Sequence, residues 1–436
     1  MNLRRLALSV ATVLSLGTLP TWALTFQVNT VSDAPDMMPG DGVCATMVGT
    51  CSLRAAVEEA NALSGPDVVE LPASPLKLTL GELDIGSELA IHGSGASLSA
   101  VRGNRRNRLL HVEIGASVSI SGTAMKNGSA DYGGAILNDG TLTVSDALIA
   151  ANRVKRIDGG LGAGIFNNGT LTLLRTTLAS NRALGCGCAF GGGLFNNGDA
   201  SLDQVVLSRN RASGCGGAIF HNTGTLQIND STLEYNSAGN SGGGLFHQDG
   251  IAQVEGTLLH RNRARKIGGG VFTYAELHVE NSTLSSNYSK VGGGLFSSLT
   301  PITNLNNVTI AANHASDGAG ILNNGSVTLH NTLVAANLPH NCSGNPLSSS
   351  GHNLSSDATC SLAANGDMVG INPVIGPLAA NGGPTWTQAL LASSPAIDAG
   401  DNVNCPAADQ RGVARPLDGD LNGTSTCDIG AFEVSP

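Results

Sequence analysis

Charge is scarce in this chain. Asp, Glu, Lys and Arg together make up 13% of its 436 residues, and Phe, Trp and Tyr only 3%. A typical globular domain carries about 25% charged residues. Scarce charge beside 41% hydrophobic content argues against disorder. The net charge of −10 opposes a nucleic-acid partner. Beyond the first residues no stretch is apolar for 18 residues, so no membrane span is expected. What the chain has in quantity is glycine, 58 residues of it, and nine cysteines. Many tight turns joining short apolar strands fit that composition.

Residues 1–23 resemble a secretory leader. Arg4 and Arg5 are followed by an apolar run from Leu6 to Leu19, and Thr21-Trp22-Ala23 offers a small-x-small cleavage site. An exported protein, at the cell surface, outside the cell or in the periplasm, is therefore expected. Cysteines in such a compartment form disulfides. Proximity in the chain pairs Cys44 with Cys51, Cys342 with Cys360 and Cys405 with Cys427. Of the remaining Cys186, Cys188 and Cys215, the repeat spacing favours Cys188 with Cys215.

A glycine-led motif recurs from Gly133 (GGAILN), Gly162 (GAGIFN), Gly191 (GGGLFN), Gly216, Gly242, Gly268, Gly292 and Gly318. An LxxN-type motif keeps the same beat and ends at Asn152, Asn181, Asn210, Asn236, Asn262, Asn287, Asn313 and Asn337. Between them lies a short alternating segment such as GTLTLLR. Each period of roughly 25 residues thus holds three strand candidates and three turns, with no helical period. That unit matches one coil of a right-handed parallel β-helix, an all-β fold in which coils bury their apolar sides by stacking. A propeller blade needs roughly 40 residues. Columns of asparagine are expected to hydrogen-bond along the stack. The segment CSLRAAVEEANALS is the one helix candidate, near residues 52–63. Its Leu53, Ala56, Val57 and Ala60 form the face of a plug over the first coil. The expected organisation is a leader to 23, an N-terminal cap over 24–66, a β-helix over 67–338 and a closing segment over 339–436.

Three stretches resemble known bacterial families. CSLRAAVEEANA is similar to the N-terminal CSLREA-type domain of secreted proteins, with alanine in place of that motif's glutamate. The GGAI and LxxN pairs resemble the repeats of chlamydial polymorphic outer-membrane proteins, without their membrane barrel. NPVIGPLAANGGPTWTQALLASSPAIDAGD, with DQRG and CDIGAFE, resembles a choice-of-anchor Q domain. The resemblances imply a right-handed parallel β-helix on or outside the bacterial surface, and imply no reaction.

Several groups of residues are candidates for function. The glycine runs enter strands rather than helices and lack a Walker lysine, which excludes a phosphate loop. Phe166, Phe195, Phe220, Phe246, Phe272 and Phe296 occupy one repeat position, next to a column of Ile, Leu and Val. Strand alternation sends neighbouring residues to opposite faces, so the Phe column is expected to point outward. There it is either shielded by its own stacking and the closing segment, or bare as an aromatic rail for sugar rings or a partner. Arg153, Arg182, Arg211 and Arg263 each follow a repeat asparagine, with Lys155, Arg156, Arg209, Arg261, Arg265 and Lys266 close by. Stacking gathers them on one edge, either as a solvated turn or as a site for an acidic polysaccharide. Asp418, Asp420 and Asn422 have the first three spacings of a calcium loop, but Ile429 stands where the twelfth ligand belongs. Asp428 or Asp409 is the expected completing ligand, which makes calcium the one cofactor candidate. The alternative is an Asp/Asn/Gly turn closed by the expected Cys405–Cys427 bridge. His221 and His247 fall at one position in adjacent coils, as metal ligands or as members of a polar column. These features point to an exported, non-catalytic β-helix that binds a glycan or another surface. The alternative is a polysaccharide lyase or glycoside hydrolase on the same scaffold, for which no motif joins an acid, a base and an arginine.

Overall fold

The computed structural model describes residues 23–155, 159–185, 188–298 and 302–436. Nearly all of the expected leader, together with Arg156 and Cys186, lies outside the described residues. The fold is the expected parallel β-solenoid. Two sheets of 13 strands and one of 11 run the length of the molecule, with a ribbon of six short strands along one corner. Strands one period apart pair in parallel and in register, as in Leu142 with Leu171 and Ile165 with Leu194. One period therefore makes one coil.

The first long sheet contains five-residue strands such as Thr141–Ser145, Thr170–Leu174 and Thr225–Asn229, with apolar second and fourth positions buried. The glycine motif supplies the 11-stranded sheet, in Ile165–Asn167 and Leu194–Asn196. The LxxN motif supplies the third sheet, in Leu148–Ala150 and Thr177–Ala179. Leu171, Leu178 and Leu194 from the three sheets meet in one continuous core and are fully buried. Each such leucine contributes about 1.5–3 kcal/mol by leaving water.

Two of the glycines that open each repeat have separate physical roles. Gly191 sits at φ +66°, where a Cβ would meet the Leu194 carbonyl at 2.5 Å. Gly192 has no such φ, but a Cβ there would lie 2.2 Å from the carbonyl oxygen of Gly217 on the next coil. The first glycine turns the chain and the second lets two coils touch.

The asparagines that end each LxxN motif form a buried ladder. Asn210 donates from Nδ2 to Asn236 Oδ1 at 3.1 Å and to the Leu178 carbonyl at 2.8 Å. Its own Oδ1 accepts from the backbone N–H and the Nδ2 of Asn181, at 3.0 and 3.1 Å. The pattern repeats through Asn262, Asn287 and Asn313 to Asn337. These residues follow a corner in the left-handed region (Ser180 φ +56°, Arg209 φ +54°). The corner N–H groups donate to carbonyls of the next coil, and the N–H that comes after, as at Asn181, is satisfied by the asparagine Oδ1 of that coil.

The helix Leu53–Ala62 is capped by Ser52, whose side chain accepts from the Ala55 N–H. Leu53, Ala56, Val57 and Ala60 join the main core, so the helix plugs the first coil. The strand Thr25–Gln27, within the expected cap, pairs with Asp67–Glu70 and extends the first sheet.

Three expectations are corrected. The coils do not end at 338, because Cys342–Gly344, Leu354–Ser355 and Met368–Val369 continue the sheets. The chain beyond folds back along the side, with contacts to Gly256, Asn281, Asn307 and Asn331. Second, the Phe column faces away from the main core as alternation requires, but it is not a bare rail. Its rings are 2–8% exposed and stack at centroid spacings of 4.7–5.2 Å. Each glycine turn folds back over the strand it precedes. This lays Leu161, Phe190, Ile267 and Val291 against the rings. Third, the three local disulfides are present, but Cys188 and Cys215 are free thiols. Cys215 packs half-buried against the Phe column, and burial raises its pKa.

A candidate polyanion-binding edge

The corner after the asparagine ladder carries the six-stranded ribbon, which includes Arg153–Lys155, Arg182–Leu184, Arg211–Ala212 and Arg263–Ala264. Strand register places Arg153 beside Arg182, Arg182 beside Arg211, Arg211 beside Ser237 and Ser237 beside Arg263. The four expected arginines thus share one column over five coils. At strand spacing the column spans about 19 Å. Small buried residues beneath, Val154, Ala183 and Ala212, leave the arginine side chains directed outward.

A second row runs beside the first. Arg209 and Arg261 flank Tyr235, each guanidinium 5.6 Å from the ring centroid, and Arg261 donates to the Tyr235 hydroxyl at 2.6 Å. The next coil sets Tyr288 under Arg263, 5.1 Å away. Both tyrosines are exposed, 40% and 50%. A shallow groove of about 370 Å³ crosses the column, lined by Arg211, Ser237, Ala238, Gly239, Arg263 and Arg265. Among the described residues, no carboxylate pairs with Arg153, Arg182, Arg209, Arg211, Arg261, Arg263 or Arg265. Five arginines elsewhere are paired with carboxylates, among them Arg54 with Asp33 and Arg175 with Asp146. The tyrosines escaped the sequence reading because Tyr235 and Tyr288 sit at different repeat positions, which only the stacking brings together.

The other candidates fall elsewhere. Asp418 and Asp420 do form a turn with Asn422, whose N–H donates to both. Asp398 joins them, its oxygens close enough to share one ion with theirs, 4.8 Å or less apart. Asp428 and Asp409 do not complete that loop. Asp428 is buried, accepts from the Asp398 and Val434 N–H groups, and is pushed up to about 7 by burial and then by Glu433. Asp409 is paired with Arg411. His221 and His247 stack at 5.0 Å inside a second polar column between Asn196 and Thr273. Burial lowers each to about 4, so both are neutral members of that column.

No protein-family model and no curated protein matches the chain. Two solved structures resemble it at low identity. A pectate lyase, Pel9A, is 13% identical with a TM-score of 0.44, covering 96% of this chain and 98% of its own. The A-module of the mannuronan C-5 epimerase AlgE4 of Azotobacter vinelandii is 11% identical with a TM-score of 0.34, covering 80% and 98%. Within the described residues no helix is long and apolar enough to cross a membrane.

Proposed function

We propose that this chain is an exported, non-catalytic β-helix that binds an acidic polysaccharide along the arginine edge. One observation carries the proposal. Arginines without carboxylate partners stand in strand register on successive coils, interleaved with exposed tyrosines, in a protein of net charge −10. A linear polyanion laid along the helix axis meets a guanidinium on nearly every coil. The tyrosine rings hold the guanidinium groups by stacking and present their exposed edges to a sugar chain, and guanidinium groups bind carboxylate through paired N–H donors. Local positive charge concentrates a polyanion despite the overall sign. The groove at Arg211 and Arg263 is lined by no acid or histidine, which supports binding over lyase or hydrolase chemistry at this place. Three disulfides fit export.

Retention on an immobilised uronic-acid polymer tests the proposal. The protein is retained at low salt and released at moderate salt, without new reducing ends or unsaturated products. Product formation would convert the reading to an enzyme.

A further inference from the structure

The folded-back C-terminal segment creates a second, oppositely charged feature. Between it and the coils lies a cleft of about 540 Å³. One wall is Gln204, Asp230, Glu255, Gly256, Glu280 and Asn281, and the other is built from residues 384 and 406–412. The segment is fastened over it by Thr385 donating to the Gly256 carbonyl at 2.8 Å and Thr283 donating to Gln410 at 2.6 Å.

The coil wall is acidic by register. Asp203 pairs with Asn229, Asn229 with Glu255, and Glu255 with Glu280. Asp230 follows Asn229 directly, so three successive coils each contribute one carboxylate to the wall, and Asp203 stands on the coil before them. Neither Asp230 nor Glu255 has a hydrogen bond or ion pair from a described side chain, and Glu280 accepts only from Asn306 at 2.9 Å. The cations that approach are already engaged. Arg411 on the opposite wall pairs with Asp409, donates to the Glu433 carbonyl and lies over Phe432. The mutual cost is visible in the acids themselves. Partial burial and then Asp203 raise Asp230, while partial burial and then Glu280 and Asp230 raise Glu255.

A second observation is independent of the charge. Asn281, on the same wall, is 4% exposed and donates from Nδ2 to the Ala408 carbonyl at 2.8 Å. Its Oδ1 is buried with no partner. A buried acceptor left open costs about 1–3 kcal/mol, so the wall holds an acceptor that the protein does not satisfy.

We propose that this cleft binds protonated primary amines, presented in series by a linear polyamine or by an amino-sugar chain. An ammonium group supplies three donors and one positive charge, which answers carboxylates that no described cation neutralises, on a wall that also holds an unsatisfied carbonyl oxygen. A divalent ion requires carboxylate oxygens that converge. The described acids with oxygens mutually within 4.8 Å are Asp398, Asp418 and Asp420, none of them in this cleft. Carboxylates repeated once per coil, about 4.8 Å apart, suit a ligand whose charges also repeat along a chain.

Titration calorimetry of the whole protein with spermidine, with a glucosamine oligomer and with calcium chloride distinguishes the outcomes. Saturable binding of either amine, weakened about tenfold or more in Glu255→Gln/Glu280→Gln, is expected, and the preferred amine identifies the source. Binding of spermidine should strengthen as rising pH ionises Asp230 and Glu255, with Asp203, Glu280, Asp409 and Arg411 facing them. The glucosamine oligomer, whose ammonium groups lose their protons near neutrality, should instead bind best in mild acid. The double variant should melt no lower than the parent, because it removes like-charge repulsion. Absence of amine binding, amine binding unchanged in the double variant, or calcium binding lost in that variant would each overturn the proposal. Arginine-edge substitutions leave these titrations unchanged, so this test stands apart from that of the polyanion edge.

Discussion

Replacing Asn210 by Ala tests what holds the coils in register. Asn210 is fully buried in mid-solenoid. The substitution removes two hydrogen bonds donated by its Nδ2, to Asn236 and Leu178, and two accepted by its Oδ1 from Asn181. The backbone N–H of Asn181 is left buried without a partner. Its Nδ2 keeps the bond to the Ile149 carbonyl at 2.9 Å. One orphaned backbone donor, one half-satisfied amide and a cavity are together expected to cost roughly 3–5 kcal/mol. The loss should be local, since a solenoid is stabilised coil by coil. Amide hydrogen exchange should show protection falling in the coils of Asn181, Asn210 and Asn236, while the helix Leu53–Ala62 keeps its protection. Asn197, in a half-exposed side-chain row, is the control. Its replacement by Ala should change stability by less than about 0.5 kcal/mol. Equal effects at the two positions would refute the claim that the buried ladder, rather than apolar stacking alone, fixes the corners.

The Phe column gives a second prediction. Phe246→Ala removes one ring, stacked at 4.7 Å on Phe220 and 4.8 Å on Phe272, and should cost about 3–5 kcal/mol. It should leave polysaccharide retention unchanged, whereas an aromatic rail would lose binding. A third concerns pH. Asp428 is raised from an ordinary carboxylate value to about 7, so folding favours its protonated form. Its contribution is fully present below about pH 4 and is lost as pH rises through about 7. Proteolysis of the C-terminal segment should therefore be faster at about pH 8 than at about pH 5. Asp428→Asn should flatten that difference, and a pH response unaltered by the substitution would contradict the assignment.

Much of the fold could be read from the sequence because each feature of a coil is forced by a local constraint that repeats. Gly191 must turn, Leu194 must fill the core, and Asn210 must satisfy a corner. Repetition turned those weak signals into an architecture, and the arginine column followed from it. The aromatic face of the edge did not, because Tyr235 and Tyr288 hold different positions in their repeats. The Phe column falls on the expected side and its rings shield one another, one of the two expected readings, but the cover supplied by the glycine turns was not legible. Alternation says which face a side chain takes, not whether a glycine turn folds back over that face. The acidic cleft was hidden for a different reason. Its second wall comes from residues 384–412, more than a hundred residues away in sequence, and no periodicity connects them to Glu255.

The most direct test of the account measures the affinity of a uronic-acid polymer for the parent and for Arg182→Ala/Arg211→Ala/Arg263→Ala across a salt series. The parent should bind, lose affinity steeply as salt shortens the screening length to about 8 Å or less, and release no product. The triple variant should lose most of the affinity and most of the salt dependence while melting like the parent. Equal affinity and equal salt dependence in the two proteins would contradict the polyanion edge.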